Sequence, residues 1–402
     1  MPQSFARLSC WLILAGSLAL AACREDVTAP SSEQPEPALA AAAAALLLDR
    51  VSAGHHFTCG IDLENRAWCW GINNEAQLGD GTLTNRSRPV LVKTSIRFVQ
   101  ISAGASHACA VSTGNRVYCW GLNDQGQVGP TVFRQRTPRM VATMPFVQVE
   151  VGAFHSCALT PTNLAYCWGG NSWGQLGDGT TARHSSPAPV AGGRKFRRVN
   201  AGAATTCAVT PADLAFCWGN NDFGTVGDGT QNNIRPLPVA VAGGHAFRQV
   251  AVGNAHTCGL TSGRRVFCWG LNDVGQLGDS TRTLRPSPVP VSGDRSFDQL
   301  ATGVNHSCAV NGTTHRAFCW GENFAGELGD GTKTQRLTPV AVLGGLSFSG
   351  VSAGAYHTCG VTTDKLAYCW GHDAQGQLGV GGTPPPSPGG VPFRPKPTAP
   401  VG

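Results

Sequence analysis

The chain has 402 residues, with 52 glycines, 26 prolines, only 13% charged residues and a formal net charge of +6. It is long enough for a large core, yet turn formers punctuate it every few residues, which favours short strands over long helices. The charge is spread thinly with no Lys/Arg block, which sets nucleic acid aside as a partner.

Residues 1–22 read as an export signal. Arg7 precedes an apolar run from Leu8 to Leu20, short for a membrane span, and the run meets Leu20-Ala21-Ala22-Cys23. These four residues resemble the lipobox of bacterial lipoproteins. The resemblance implies a lipid on Cys23 and membrane attachment through that lipid alone, on the periplasmic or cell-surface side. The alternative is an ordinary cleaved signal with Cys23 incidental. Residues 23–45 read as a tether, because Arg24 to Pro37 is rich in Pro, Ser and acidic residues and cannot bury enough apolar surface to fold alone. The alanines from Ala38 to Ala45 form too short a run for a stable isolated helix.

From Leu46 the chain repeats. Cys-Trp-Gly recurs at Cys69, Cys119, Cys167, Cys217, Cys268, Cys319 and Cys369, at a period of 48 to 51 residues. Seven copies at that period indicate a propeller or an array. Each copy holds four short strand patterns, as in Phe247–Gly253, His256–Thr261, Val266–Gly270 and Pro288–Val291, with a Gly-Gln-Leu-Gly turn at Gly275–Gly278. Four strands are one blade, so the expected fold is all-β, a seven-bladed β-propeller over residues 46–393 with a C-terminal tail at 394–402. Thr383 to Phe393 is a degenerate outer strand, and whether it or the Ala-rich stretch completes the ring is open at this level.

The second and third strands of a copy pair on paper. Cys59 faces Cys69 and Ile61 faces Ala67 if the chain reverses through Leu63-Glu64-Asn65. Asn65, Asn115, Asn163 and Asp213 suit the left-handed residue of such loops, whereas Arg264 and Lys365 should make their hairpins differ locally. Of 16 cysteines, Cys10 lies in the signal and Cys23 is the candidate lipid site, leaving two per repeat. In an oxidising compartment these pair as Cys59–Cys69, Cys109–Cys119, Cys157–Cys167, Cys207–Cys217, Cys258–Cys268, Cys308–Cys319 and Cys359–Cys369, with Cα atoms about 4.4–6.8 Å apart. Both hairpin faces are apolar, as blades sandwiched between blades require.

Other repeated residues read as structural. His107, His155, His256, His306 and His357 recur at one position, held by Phe57 and Thr205 in the other two copies, and are expected to bond local backbone. Zinc sites usually use short Cys-x-x-Cys spacings and four ligands, and seven equal sites would be odd, so no metal or cofactor is expected. Gly-Asp-Gly-Thr, as at Gly79, reads as a turn with a side-chain-to-backbone bond rather than a calcium loop. Arg86, Arg136, Arg183, Arg235, Arg285 and Arg336 are read as repeated structural contacts in preference to an anion-binding ring. Trp173, Phe223 and Phe324 break the consensus at comparable loop positions and are the candidate binding residues.

The pattern Val-x-Ala-Gly-x-x-His-x-Cys-Ala-Val, Val-Tyr-Cys-Trp-Gly-x-Asn, Gly-Gln-Leu-Gly resembles the repeats of the regulator of chromosome condensation family, over Leu46 to about Gly379. The resemblance implies a seven-bladed propeller. The family's founding activity is guanine-nucleotide exchange assisted by an inserted β-wedge, but no repeat here exceeds 51 residues. Exported proteins with such repeats resemble protein-binding scaffolds. The expected function is therefore a non-enzymatic, lipid-anchored extracytoplasmic scaffold that binds a protein through blade loops, with carbohydrate recognition or an exchange-factor activity as alternatives.

Overall fold

The computed structural model describes residues 46–130, 132–382 and 393–400. The export signal at 1–22, the tether at 23–45 and Cys23 lie outside the described residues, as does Thr383 to Pro392. Among the described residues, 28 strands form seven four-stranded antiparallel sheets, each using four consecutive strands in order. In the first blade the inner strand Leu48–Ala53 is followed by Phe57–Asp62, Ala67–Gly71 and the outer strand Arg86–Leu91. The seven-bladed β-propeller expected from the period is the fold.

The central hairpin of every blade has the register read from the sequence, with Cys59 opposite Cys69 and Ile61 opposite Ala67. All seven disulfides are formed, but their Cα atoms lie only 4.0–4.1 Å apart, below the expected window. The Asp62 amide donates to the Arg66 carbonyl, so by alternation Cys59 and Cys69 form a non-hydrogen-bonded pair, the closer kind. Outer strands also start earlier than the sequence pattern indicates: Arg285–Pro290 begins at the arginine, which pairs with Gly270.

The fifth and seventh hairpin loops do not differ as expected in backbone conformation. The sixth, one residue longer between its cysteines, does differ: its His315 amide bonds back four residues to Asn311 where the others bond back three. Arg264, His315 and Lys365 have φ of 63°, 55° and 70°, in the same left-handed region as Asn65 at 63°. The cause is tertiary. The carbonyl of this residue accepts the first inner-strand amide of the next blade, Phe98 to Asn65 at 2.8 Å, Phe297 to Arg264 at 2.9 Å and Leu48 to Lys365 at 2.9 Å. Arg264 thus holds a conformation costing about 1–2 kcal/mol relative to glycine. Arg264→Gly should raise stability by roughly 1 kcal/mol, less the small contribution of the exposed pair with Asp298; a lowered urea midpoint would contradict this.

Blades are bolted together by the Cys-Trp-Gly tryptophans, all fully buried. Trp320 Nε1–H donates to the Gln276 carbonyl of the preceding blade at 3.0 Å, and its ring lies under the turn at Gly278. A Cβ there would be 2.7 Å from Trp320 Nε1, which, with φ +70°, is why glycine occupies the position. Each hydrophobic cluster accordingly spans two blades, as where Cys258 and Cys268 pack with Phe297 and Trp320. Trp320→Ala should cost about 3–5 kcal/mol, seen as a large drop in the urea midpoint under non-reducing conditions.

Among the described residues no strand is exchanged to close the ring. The seventh blade takes its outer strand from Phe393–Thr398, so the blade extends into residues assigned by sequence to the tail; the boundary at 393/394 is corrected to beyond Thr398. The outer ladder needs a strand opposite Cys369 and Gly371, and Thr398 and Arg394 occupy those places. Blades seven and one meet through Leu47 opposite Leu366, Trp70 Nε1–H donating to Gln377 O (2.9 Å), and Thr58 beside His357. Every blade is thus complete within residues 46–400, inside the compact unit Ala43–Gly402.

Candidate functional site

Strand direction sorts the loops onto two faces. The first-to-second and third-to-fourth strand connections lie on one face; the central hairpin turns and blade-to-blade connections lie on the other. Between them the inner strands line a channel.

Channel-facing side chains tie neighbouring blades. Gln100 Nε2 donates to Val149 O (2.9 Å) while its Oε1 accepts the Val149 amide (2.8 Å), imitating a peptide group. Gln148, Gln249 and Gln299 do the same with Val199, Leu300 and Val351. Three junctions lack this glutamine. There Ser52, Asn200 and Ser352 accept the amides of Ala103, Val252 and Ala53 at 2.9, 2.7 and 2.9 Å instead. One carboxylate faces the channel in this layer, Glu150, beside Gln148, Gln100 and Ser102. Burial pushes its carboxyl up to about 7, against the opposing effect of those hydrogen bonds.

The repeated histidines bond the neighbouring blade rather than local backbone, which corrects the sequence expectation. His256 Nε2 lies 2.9 Å from Ser307 Oγ, and that hydroxyl donates to the Gln276 carbonyl at 3.0 Å. The hydroxyl proton is therefore used, so His256 donates from Nε2 and its Nδ1 has no partner. His107, His155, His306 and His357 repeat this with Ser156, Thr206, Thr358 and Thr58. All five are fully enclosed and neutral, burial holding His107, His155 and His306 down to about 3 and His256 to about 4. Enclosed, identical and lacking unlike partners, they have no geometry for acid–base work on a ligand.

Acids occupy two positions that the other blades fill with amides, Thr225 of the fourth excepted. Glu327, in place of the turn glutamine, accepts the Ala325 amide at 2.9 Å through one oxygen and leaves the other unpartnered. Asp373, in place of the asparagine that the six other blades carry, accepts the Leu378 amide at 3.0 Å with its second oxygen likewise unpartnered. Burial raises them to about 8 and about 6, so at neutral pH the protonated Glu327 stands in for the amide, whereas Asp373 does so only in mildly acidic solution.

Arg86, Arg235, Arg285 and Arg336 pair with Asp80, Asp228, Asp279 and Asp330, whose other oxygen caps the turn at Thr82, Thr230, Thr281 and Thr332. In the third blade His184, not Arg183, meets Asp178 at 2.8 Å. Among the described residues no cluster of three or more His, Cys, Asp or Glu could hold a metal ion. Nor is any helix among them long and apolar enough to cross a membrane.

Trp173, Phe223 and Phe324 are exposed by 40, 42 and 47% on the first face. They do not form one uniform set. Trp173 and Phe223 occupy the same turn position in adjacent blades, whereas Phe324 stands one residue earlier in its turn and packs edge-on to Tyr356 with centroids 5.4 Å apart. Tyr356 lies against His56 at 5.7 Å, and His372 is near both. Phe154, 41% exposed in the third blade, joins the face near Gly170. Phe154, Tyr356 and His56 were missed in the sequence, although they break the small-residue pattern between Gly and His that Ala204 and Ala255 keep.

The opposite face corrects the reading of charge as spread thinly with no Lys/Arg block. The loops of residues 194–198, 211–214, 243–248, 262–265 and 293–298 contain eight Lys or Arg against three Asp, an excess of five beside the whole chain's +6. Arg194-Lys195-Phe196-Arg197-Arg198 is the centre of this crescent.

An RCC1-like domain family model matches residues 15–343 and 134–399. The Ultraviolet-B receptor UVR8 of Arabidopsis thaliana is 31% identical over 131 residues, 32% of this chain, which matches only 30% of that protein's length. Human WBSCR16 superposes with a TM-score of 0.72 at 23% identity, covering 79% of this chain and 87% of its own. Yeast RCC1 (Prp20), in a complex with Kap60, gives 0.73 at 19% identity over 92% and 90%. Prp20p of Saccharomyces cerevisiae, described with its binding to Gsp1p and histones, gives 0.68 at 23% identity over 76% and 80%.

Proposed function

This chain belongs to the RCC1-like domain family, and on that premise we propose that it is a non-enzymatic binding scaffold, lipid-anchored outside the cytoplasm, whose blade loops recognise a protein. The carrying observation is the broken repeat on one face, where Trp173 and Phe223 stand side by side in sequence-equivalent turns and Phe324 with Tyr356 forms a second aromatic group. A ring of equivalent blades can present an asymmetric patch only where its loops differ, and exposed aromatics are favoured anchors of protein interfaces. Protein binding by yeast Prp20p is in keeping with this use of the fold. Seven disulfides suit an oxidising compartment, and Leu20-Ala21-Ala22-Cys23 supports a lipid on Cys23.

Two measurements test the reading. The propeller should capture a partner from the native envelope, and Trp173→Ala with Phe223→Ala, or Phe324→Ala, should weaken capture at least tenfold while shifting stability by less than about 0.5 kcal/mol. Unchanged capture by all of these variants would remove the aromatic face from the proposal. Cys23→Ala should release the protein from membranes, and a mature N-terminus without lipid mass would refute the anchor.

A further inference from the structure

We infer that the face opposite the exposed aromatics is a second contact surface, one that docks on the anionic headgroups of a phospholipid bilayer. The crescent comes from three successive blades, and its acids do not neutralise it. Arg197 pairs with Asp213, Asp298 is shared between Arg248 at 2.7 Å and Arg264 at 3.1 Å, and Arg265 reaches the almost fully exposed Asp294 at 3.3 Å. Lys195, on an exposed loop, and Arg295, which lies over the Phe318 ring, have no ion-pair partner among the described residues, whereas Arg198 opens an inner strand and acts on Glu150 of the channel. Arg194 lies over the Phe216 ring at 3.8 Å, which braces its stem while the guanidinium keeps its charge. Several fixed cations on one side of a rigid disc match a planar anionic surface better than a single small anion, which would need a concave site.

The route of the chain favours the bilayer over other polyanions. The polypeptide enters the propeller at Leu47 and Leu48, which pair with Leu366 and Lys365 in a hairpin turn of this same face. Only 22 residues separate Cys23 from Leu46, so a lipid on Cys23 would bring a bilayer within reach of this face. The choice of bilayer rests on the anchor reading; the charge of the face does not.

The test uses the propeller from Ala43, which carries no lipid, so that it is separate from the mass measurement on Cys23. It should sediment with vesicles of 30% phosphatidylglycerol in phosphatidylcholine, remain in solution with phosphatidylcholine alone, and lose binding as salt rises. Arg194→Gln, Lys195→Gln and Arg295→Gln together should weaken vesicle binding on the order of a hundredfold, at about fivefold per charge. Trp173→Ala should leave it unchanged, and millimolar inorganic phosphate should not displace the protein. An unaltered melting transition for the triple variant secures the comparison, and the single reversal Lys195→Glu, which should also weaken binding, serves if the triple variant misfolds. The inference is overturned by equal binding to both vesicles, by no binding to either, by variants as strong as the parent, by displacement with phosphate, or by a DNA duplex bound more tightly than the vesicles.

Discussion

Reduction of the seven disulfides, with the thiols then capped, should leave a chain that is unfolded at 25 °C without denaturant. Each bridge closes a loop of ten or eleven residues in separation, and the chain-entropy relation gives about 3 kcal/mol for such a loop. The loops follow one another along the chain and do not nest, so to first order their effects add, to roughly 20 kcal/mol. That exceeds the 5–15 kcal/mol of an ordinary domain. Geometry reinforces the effect, because the bridges lie fully buried where a hairpin meets the tryptophan of the next blade. Removing one bridge through Cys109→Ala and Cys119→Ala should lower stability by about 3 kcal/mol, and by a similar amount in any other blade. Circular dichroism of the reduced, capped chain is the direct measurement; a native spectrum with a cooperative melt would show that blade packing alone suffices.

Stability should peak near pH 6.5 and fall on both sides, more steeply toward acid. His107, His155, His256, His306 and His357 stay neutral in the native state because burial depresses the first four to about 3 or 4 and holds His357 well below the ordinary imidazole range. The unfolded chain binds protons on all five as pH drops through 6.5, so each histidine withdraws about 1.4 kcal/mol per pH unit below that point. Glu150, Glu327 and Asp373 act oppositely. Raised to about 7, 8 and 6, they are protonated in the native state before the unfolded chain protonates them, which adds stability as pH falls toward 4.5 and removes it as pH rises above 6. Five groups against three leave a net loss on the order of 5 kcal/mol between pH 6.5 and 5, and the loss steepens below pH 4.5 where the carboxyl effect is complete. His256→Thr, copying the Thr205 of the fourth blade, should flatten the acid limb. Glu327→Gln, restoring the amide of other blades, should flatten the alkaline limb. Urea midpoints across pH 4 to 9 decide this, and a profile with no fall between pH 6.5 and 5 would mean that the histidines are charged in the native state.

Much of the fold was legible because a propeller repeats its physics. Cys-Trp-Gly at a steady period, nine residues between most paired cysteines and two apolar faces per hairpin determine blade number, hairpin register and disulfide pairing. A buried strand pair in a closed ring admits only one alternation of inside and outside. One blade-to-blade relation was also present in the letters. Phe57 replaces the histidine in the first blade and Ala108 replaces the hydroxyl it would meet in the second, a matched loss that identifies the partner of the other histidines.

What the tertiary structure alone decided concerns which repeats stand next to each other and which way their loops face. Arg264 and Lys365 take left-handed backbone because the next blade's amide needs their carbonyls, a demand no local propensity expresses. The three junctions without a channel glutamine are closed by Ser52, Asn200 and Ser352, whose role depends on a neighbour about fifty residues away. The outer strand of the last blade comes from Phe393–Thr398 because the ladder beside Cys369 must be filled by whatever segment reaches it. A thin net charge became a basic crescent because alternate loops of every blade emerge on the same face, so residues far apart in sequence add their fields in space.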